Sequence, residues 1–354
     1  MIDRCQMLRV GSLELASRVL SAPIAGFTDL VYRRILRDFG GCGLMFTEMV
    51  SAGGWIRGEQ EQPARLEGVR DEPRPLGVQL WDREPAMVEE AARRLAGEYG
   101  VSVIDLNFGC PKQRIMGRQG AGAELLRDPP TIHKLVAATV RGAGGIPVTA
   151  KIRLGACIAQ PTAPAVARAA EDAGAAAVTV HGRNAEEGYG APVDLDRIRE
   201  VVESVRIPVI ANGNIDGADA ALRTLERTGA AGVMVARTAL SKPWVFREIA
   251  AALRGEPPPS APSFAEQRAQ LLRHHLELIE REGDPAGTIR MRKFAARYLA
   301  GVRGAREFRA AIGLARDAAD FRAIVDRLFP DTDELTASRR EGVRAIAKSP
   351  IGER

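Results

Sequence analysis

Short apolar, β-branched runs return at nearly even intervals through the first two thirds of the chain, at 19–22, 44–47, 76–80, 103–107, 148–152, 177–181, 209–211 and 232–235. Alanine-rich segments with helical spacing separate most of them, at 85–99, 131–141, 163–173 and 216–228. Alternation of strand and helix predicts parallel strands joined by crossovers. Eight such units in about 240 residues fit an α/β chain folded as a (β/α)8 TIM barrel, with an open doubly wound sheet as the alternative. Pro147 and Pro208 open the fifth and seventh runs, where a missing N–H does no harm to a strand.

The barrel pattern stops near Arg254, so residues 1–254 read as one domain. Residues 255–263, GEPPPSAPS, read as a proline-rich linker. Helical spacing then resumes at 264–282, 288–300, 305–313 and 318–328, which predicts a small all-helical domain over 264–330. The remaining 331–354 is a polar tail. Composition adds little to this picture but excludes several classes. A net charge of +5 permits a nucleic-acid partner without demanding one. Cys5, Cys42, Cys110 and Cys157 lie far apart with no CxxC pair, which argues against a metal site or a disulfide framework. No apolar run suits a signal peptide or a membrane span, so a soluble, cytoplasmic protein is expected.

Polar residues gather where the strands end. Thr47 and Glu48 follow the second strand, Gln79 lies in the third, and Asn107 and Cys110 close the fourth. Lys151 and Arg153 belong to the fifth, His181 and Arg183 to the sixth, and Asn212-Gly213-Asn214 to the seventh. Singly, Gln79 or His181 also suits a satisfied core position, whereas an amine at Lys151 is costly to bury without a partner. Jointly they predict a pocket at the carboxyl ends of the strands, where this fold binds ligands. The Asn212–Asn214 turn and Val235-Ala236-Arg237 read as a phosphate site. A phosphate there, with a cation at Lys151, fits FMN across the barrel mouth.

The run after the fourth strand carries the chemistry. Pro111 restricts the backbone of Cys110, and Lys112, Arg114, Gly117, Arg118, Gly120 and Gly122 follow in what reads as a loop before a helix-like Ala123-Glu124-Leu125-Leu126. An inert cysteine in a glycine-rich loop is the alternative.

These segments in order resemble the tRNA-dihydrouridine synthase family, nearest to its bacterial B-type branch. The resemblance spans about residues 19–329 and rests on Ala22-Pro23-Ile24-Ala25-Gly26-Phe27-Thr28-Asp29, Phe46-Thr47-Glu48-Met49 and Val78-Gln79-Leu80. It continues through Asn107-Phe108-Gly109-Cys110-Pro111, Lys151-Ile152-Arg153-Leu154-Gly155, His181-Gly182-Arg183, the 207–215 run, Arg237 and Pro243-Trp244. It implies that Pro23, Ile24 and Ala25 line the flavin, that Gln79 and Lys151 contact its ring with His181 beside it, and that Asn212, Gly213, Asn214, Ala236 and Arg237 hold its phosphate end. It further implies that Cys110 protonates C5 of a uracil whose C6 takes a hydride, that Asn107 orients that base, and that NADPH is the reductant. Folded tRNA must then present a base turned out of its stack to a positive surface. Candidates are Lys112, Arg114 and Arg118, Arg153 and Arg183 at the strand ends, and Arg290, Arg292, Lys293 and Arg297 of the helical domain, with Arg303, Arg306 and Arg309 beyond. Positions 290, 293 and 297 share one helix face. The chain is expected to work as a monomer.

Several positions depart from the family pattern. Ile24 stands where methionine is usual, Asn214 for an aspartate and Ala236 for a glycine; Ala123 and Glu124 alter the Gly-Ala-Gly-Ser-Ala run. The segment after Arg183 lacks the usual second basic residue, and 156–161 lacks the usual acidic and polar character. Two other functions stay open: a flavin-dependent barrel reductase of a small pyrimidine or enone, and an RNA-binding flavoprotein without catalysis.

Overall fold

The computed structural model describes residues 7–59, 64–300 and 304–329, and the backbone alone at Arg118. Cys5, Arg303 and the 331–354 tail lie outside the described residues. β1 (Leu8–Val10) and β2 (Leu13–Leu15) pair as an antiparallel hairpin. β3 (Val19–Ser21), β4 (Met45–Phe46), β5 (Val50–Ser51), β6 (Leu76–Trp81), β7 (Val103–Asn107), β8 (Val148–Arg153), β9 (Ala177–His181), β10 (Val209–Asn212) and β11 (Gly232–Val235) form a parallel sheet. Its order is β3-β11-β10-β9-β8-β7-β6-β4, with β5 paired to the far end of β6. The two edges meet, since Ser21 N donates to Leu44 O at 3.0 Å and Gly43 N to Val19 O at 2.8 Å. The sheet is therefore a closed (β/α)8 barrel rather than an open doubly wound sheet.

Side chains alternate across each strand. Val78, Leu80, Ile104, Leu106, Ala150, Ile152, Val178 and Val180 join the large core shared with the surrounding helices. The alternate positions face inward. Near the start of the strands these are Leu20, Leu44, Phe46, Val103, Ala177, Ile210 and Met234, and they pack with Leu8, Val10 and Leu15 of the hairpin. The hairpin thus plugs one end of the barrel. Its three-residue strands are too short for a readable period, so the sequence pattern does not reveal it. Gly77 is required inside: a Cβ there would lie 2.5 Å from the Phe46 ring.

Residues 113–119, read above as loop, form helix Gln113–Gln119, followed by a 3-10 turn at Gly122–Arg127. Buried Ile115 anchors that helix, and Gly120 ends it at a φ of 57°. Beyond helix Val245–Arg254 and an extended stretch come Phe264–Glu282, Ala286–Tyr298, Ala305–Ile312 and Ala318–Leu328. Ser263 and Glu266 form a capping box that starts the first of these. The group packs on Leu271, Leu278, Met291, Phe308 and Phe321. It meets the barrel where Phe294 lies edge-on to Phe27 at 5.3 Å and against Tyr32 at 5.9 Å. Arg273–Asp38, Arg281–Glu67 and Arg290–Asp29 ion pairs ring this contact.

Candidate active site

Strand register sets the site. Gln79, Asp105 and Thr149 lie side by side on β6, β7 and β8; Asn107 and Lys151 form the next level. Arg153, His181 and Asn212 form the level above, across β8, β9 and β10. Residues two apart share a face, so these side chains rise through the barrel above the apolar plug.

Hydrogen bonds join the lower levels. Asp105 accepts from Thr149 Oγ1 and from Gln79 Nε2, both at 2.6 Å. Gln79 Oε1 accepts from Asn107 Nδ2 at 2.8 Å. Asn107 Oδ1 accepts from the Gly109 and Cys110 amides at 3.0 and 2.9 Å, while Arg153 Nε donates to Gly109 O at 2.8 Å. The peptide leading into Cys110 is held at both its nitrogen and its oxygen. Burial pushes the Cys110 thiol above its usual range against the pull of Lys112, Arg153 and Lys151. It therefore stays protonated at neutral pH.

Cations dominate the upper levels. Lys151 Nζ donates to Asn212 Oδ1 at 3.2 Å, and burial with the neighbouring Arg153 brings it down to about 8. His181 is held well below its usual range by burial and by Arg153, Lys151, Arg183 and Arg237. Burial also lowers Arg237, whose guanidinium stacks 4.4 Å above the Tyr189 ring. Asn212 Nδ2 donates to Met234 O at 2.8 Å, fixing its amide. Gly213 has a φ of 128°, and a Cβ there would press on Val193 and on the His181 ring. Asn214, at a φ of 49°, accepts from Arg183 Nη2 at 3.1 Å, so its side chain serves the Arg183 guanidinium. Ala236 is half-buried between β11 and the Arg237–Leu240 turn. Pro23 and Ile24 are half-buried and Ala25 is exposed, just past β3; Ile24 O closes a turn on the Phe27 and Thr28 amides.

The basic residues separate by what already holds them. Lys112 and Arg114 are exposed at the start of helix Gln113–Gln119. Arg153 and Arg183 are only 4% and 1% exposed. Arg153 spends its guanidinium on Gly109 O and Asn184 O, and Arg183 on Ala191 O, Asn214 and His181. Both clamp loops at the strand ends, and their guanidiniums are buried rather than displayed at the surface. Arg290 bridges Asp29 and Glu282, and Arg292 grips Ala315 O, so these two are also committed inside the chain. Lys293 reaches down toward the barrel, 5.3 Å from the Phe27 ring centre. Arg297 is half-buried, close enough to Arg237 and Arg309 for their charges to act on one another.

The sequence pattern passed over Asp105, Thr149 and Tyr189. A signal existed for the first two, since Asp105 stands two residues before Asn107 and Thr149 two before Lys151. Tyr189 lies in a loop with no period to mark it. Among the described residues no helix is long and apolar enough to cross a membrane, and no three His, Cys, Asp or Glu side chains gather as a metal site.

Comparison with known proteins fits this geometry. The fold resembles a morphinone reductase structure (TM-score 0.51, 16% identity, 72% of this chain and 91% of that one). The structure of a variant of NCR from Zymomonas mobilis is similar at a TM-score of 0.52 and 14% identity, covering 73% of this chain and 92% of that one. In sequence, the chain is 38% identical to a probable tRNA-dihydrouridine synthase of Rickettsia conorii over 88% of its own length and 93% of the relative's. It is 38% identical to tRNA-dihydrouridine synthase B of Pseudomonas aeruginosa over 88% and 92%, and 36% identical to a probable tRNA-dihydrouridine synthase of Mycobacterium tuberculosis over 98% and 92%. The dihydrouridine synthase (Dus) family model matches residues 20–331, and with these relatives it shows that the chain belongs to the dihydrouridine synthase family.

Proposed function

We propose that the chain reduces the C5–C6 double bond of uridines in tRNA, with FMN as cofactor and NADPH as reductant. The observation that carries this reading is the placement of a protonated, backbone-clamped Cys110 among buried cations at the open end of the barrel. Lys151, Arg153, Arg183 and Arg237 are all lowered by burial, and Asp105 is the acidic group that pulls Lys151 the other way. Such an excess of positive charge suits an anionic ligand. Asn212, Gly213, Asn214, Ala236 and Arg237 would hold the FMN phosphate. Pro23, Ile24, Ala25, Gln79, Lys151 and His181 would bound its ring system. When bound and reduced, the cofactor supplies a hydride for C6.

The chain's own residues supply the rest. A hydride at C6 leaves an enolate-like C5 that needs a proton, and the Cys110 Sγ–H gives it. A positioned acid is worth about 10²–10⁴ in rate. Asn107 holds the Cys110 amide and helps to orient the base. Residues 1–254 serve as the catalytic domain and 264–330 as the RNA-docking domain, joined by 255–263. Lys112, Arg114, Lys293 and Arg297 are the contacts the geometry favours for the RNA backbone; Arg118 belongs with them by position alone. The test is Cys110→Ala. That variant should bind FMN and be reduced by NADPH as before yet form no dihydrouridine in undermodified tRNA. Full activity in it, or reoxidation by small enones with none by tRNA, would refute the reading.

A further inference from the structure

The polar core beneath Cys110 has a direction. A carboxylate can only accept hydrogen bonds, and a backbone N–H can only donate. Asp105 stands at one end of the chain of contacts and the Cys110 amide at the other. With Asp105 accepting, Gln79 must turn its Nε2 toward it and its Oε1 away. Asn107 must then give its Nδ2 to Gln79, which leaves Oδ1 for the Gly109 and Cys110 amides. Each amide orientation follows from the one below it.

We propose that Asp105 is a positioning residue, which acts through Gln79 and Asn107 to fix the backbone of Cys110 for proton delivery. The proposal rests on the dihydrouridine reading for its catalytic meaning, though the geometry stands by itself. Several observations support it. Asp105 is 1% exposed, and its two oxygens are taken by Gln79 and Thr149, so it is not presented to a ligand. Thr149 secures its second oxygen, so the carboxylate cannot swing away. Burial raises Asp105 to about 6, while the Thr149 and Gln79 bonds and Lys151 pull it back, so it is ionised at neutral pH. Burying a carboxylate is costly, and its two bonds to Gln79 and Thr149 offset that cost while fixing the order of the amides above it.

Because the order has a sign, it can be reversed. Asn107→Asp sets a second oxygen against Gln79 Oε1, and Asp105 prevents Gln79 from turning. Adding Asp105→Asn removes that block without changing the total charge. The Thr149 hydroxyl then donates to the new carbonyl at 105, the new amide there donates to Gln79 Oε1, and Gln79 Nε2 donates to the new carboxylate at 107. That carboxylate still accepts from Gly109 and Cys110. The experiment uses the full chain labelled with ¹⁵N-cysteine, reading the Cys110 amide proton shift without substrate and dihydrouridine formation in undermodified tRNA. Asn107→Asp should lose about tenfold or more in rate and displace the Cys110 amide signal. The double variant should return the signal toward its original position and recover only part of the rate, since position 107 also orients the base. A double variant no better than Asn107→Asp on both readings overturns the proposal. Should Asn107→Asp be too unstable to purify, recovery of folded protein in the double variant, by circular dichroism, is the same test, and failure to recover overturns it. A wild-type chain that never modifies tRNA would defeat the proposed function alone, since the amide shift is read without RNA.

Discussion

Asp29 and Arg290 join the barrel to helix Ala286–Tyr298 through an Oδ2–Nη2 contact of 2.8 Å. The other oxygen of Asp29 accepts from the Tyr32 amide at 2.9 Å and caps helix Leu30–Phe39. One side chain therefore starts a barrel helix and anchors the helical domain. Asp29→Ala should cost about 1–3 kcal/mol in denaturant unfolding, a cap plus a half-buried ion pair. Asp29→Asn, which can still cap, should cost less. Equal stability of the alanine variant and the wild type would remove the anchor.

Cys110 should be slow to alkylate at neutral pH. Its thiol is raised by burial, so the rate of carboxamidomethylation should climb through a midpoint above the usual thiol value. Lys112 pulls that midpoint down, and Lys112→Ala should move it higher. Peptide mapping at Cys110 across pH 7–10 measures both; a midpoint near 7 would sink the assignment of Cys110 as an acid.

Lys151 should make ligand binding depend on pH. Its value of about 8 means the free site loses one positive charge as pH rises through 8. Affinity for FMN should thus be strongest below pH 8 and weaken above it, and Lys151→Met should flatten the dependence while lowering affinity about tenfold. Fluorescence titration of FMN from pH 6.5 to 9.5 is the measurement. A flat wild-type profile contradicts the role given to Lys151.

Two buried histidines should make the helical domain acid-sensitive. His274 is brought to about 3 and His275 to about 4, chiefly by burial. Both folded values lie below the unfolded value near 6.5, so the unfolded chain takes up protons first. Their contribution is complete above pH 6.5 and is lost as pH falls toward 4, with roughly 1–2 kcal/mol for each at pH 5. Asp105 works in the opposite sense, so the slope is isolated by comparison with His275→Gln, which should unfold with a shallower pH dependence. Identical slopes would refute this.

The strands were legible because β3 and β6 to β11 each carry at least two β-branched or branched aliphatic residues, and most of their observed bounds fall within a residue or two of the pattern. What escaped was set by distance rather than by local preference. The β1–β2 hairpin exists because it covers inward residues of six strands, which no short window contains. Helix Gln113–Gln119 escaped because Gly117 inside it and Gly120 just past its end outweigh one anchoring Ile115 in any count of propensity. At the site, charge was visible but its commitment was not. Arg153, Arg183, Arg290 and Arg292 look alike in sequence to Lys112 and Arg114, yet most of their partners lie 8 to 261 positions away. Asp105 was hidden by an apolar run that its neighbours made convincing.

The hairpin leaves the barrel with a single doorway. Leu8, Val10 and Leu15 stopper one end, so whatever reaches Lys151, Asn107 and Cys110 arrives over the loops at the other. On the proposed function, the reductant and the RNA base would both have to use that one approach, so the loops around it would govern the access of each.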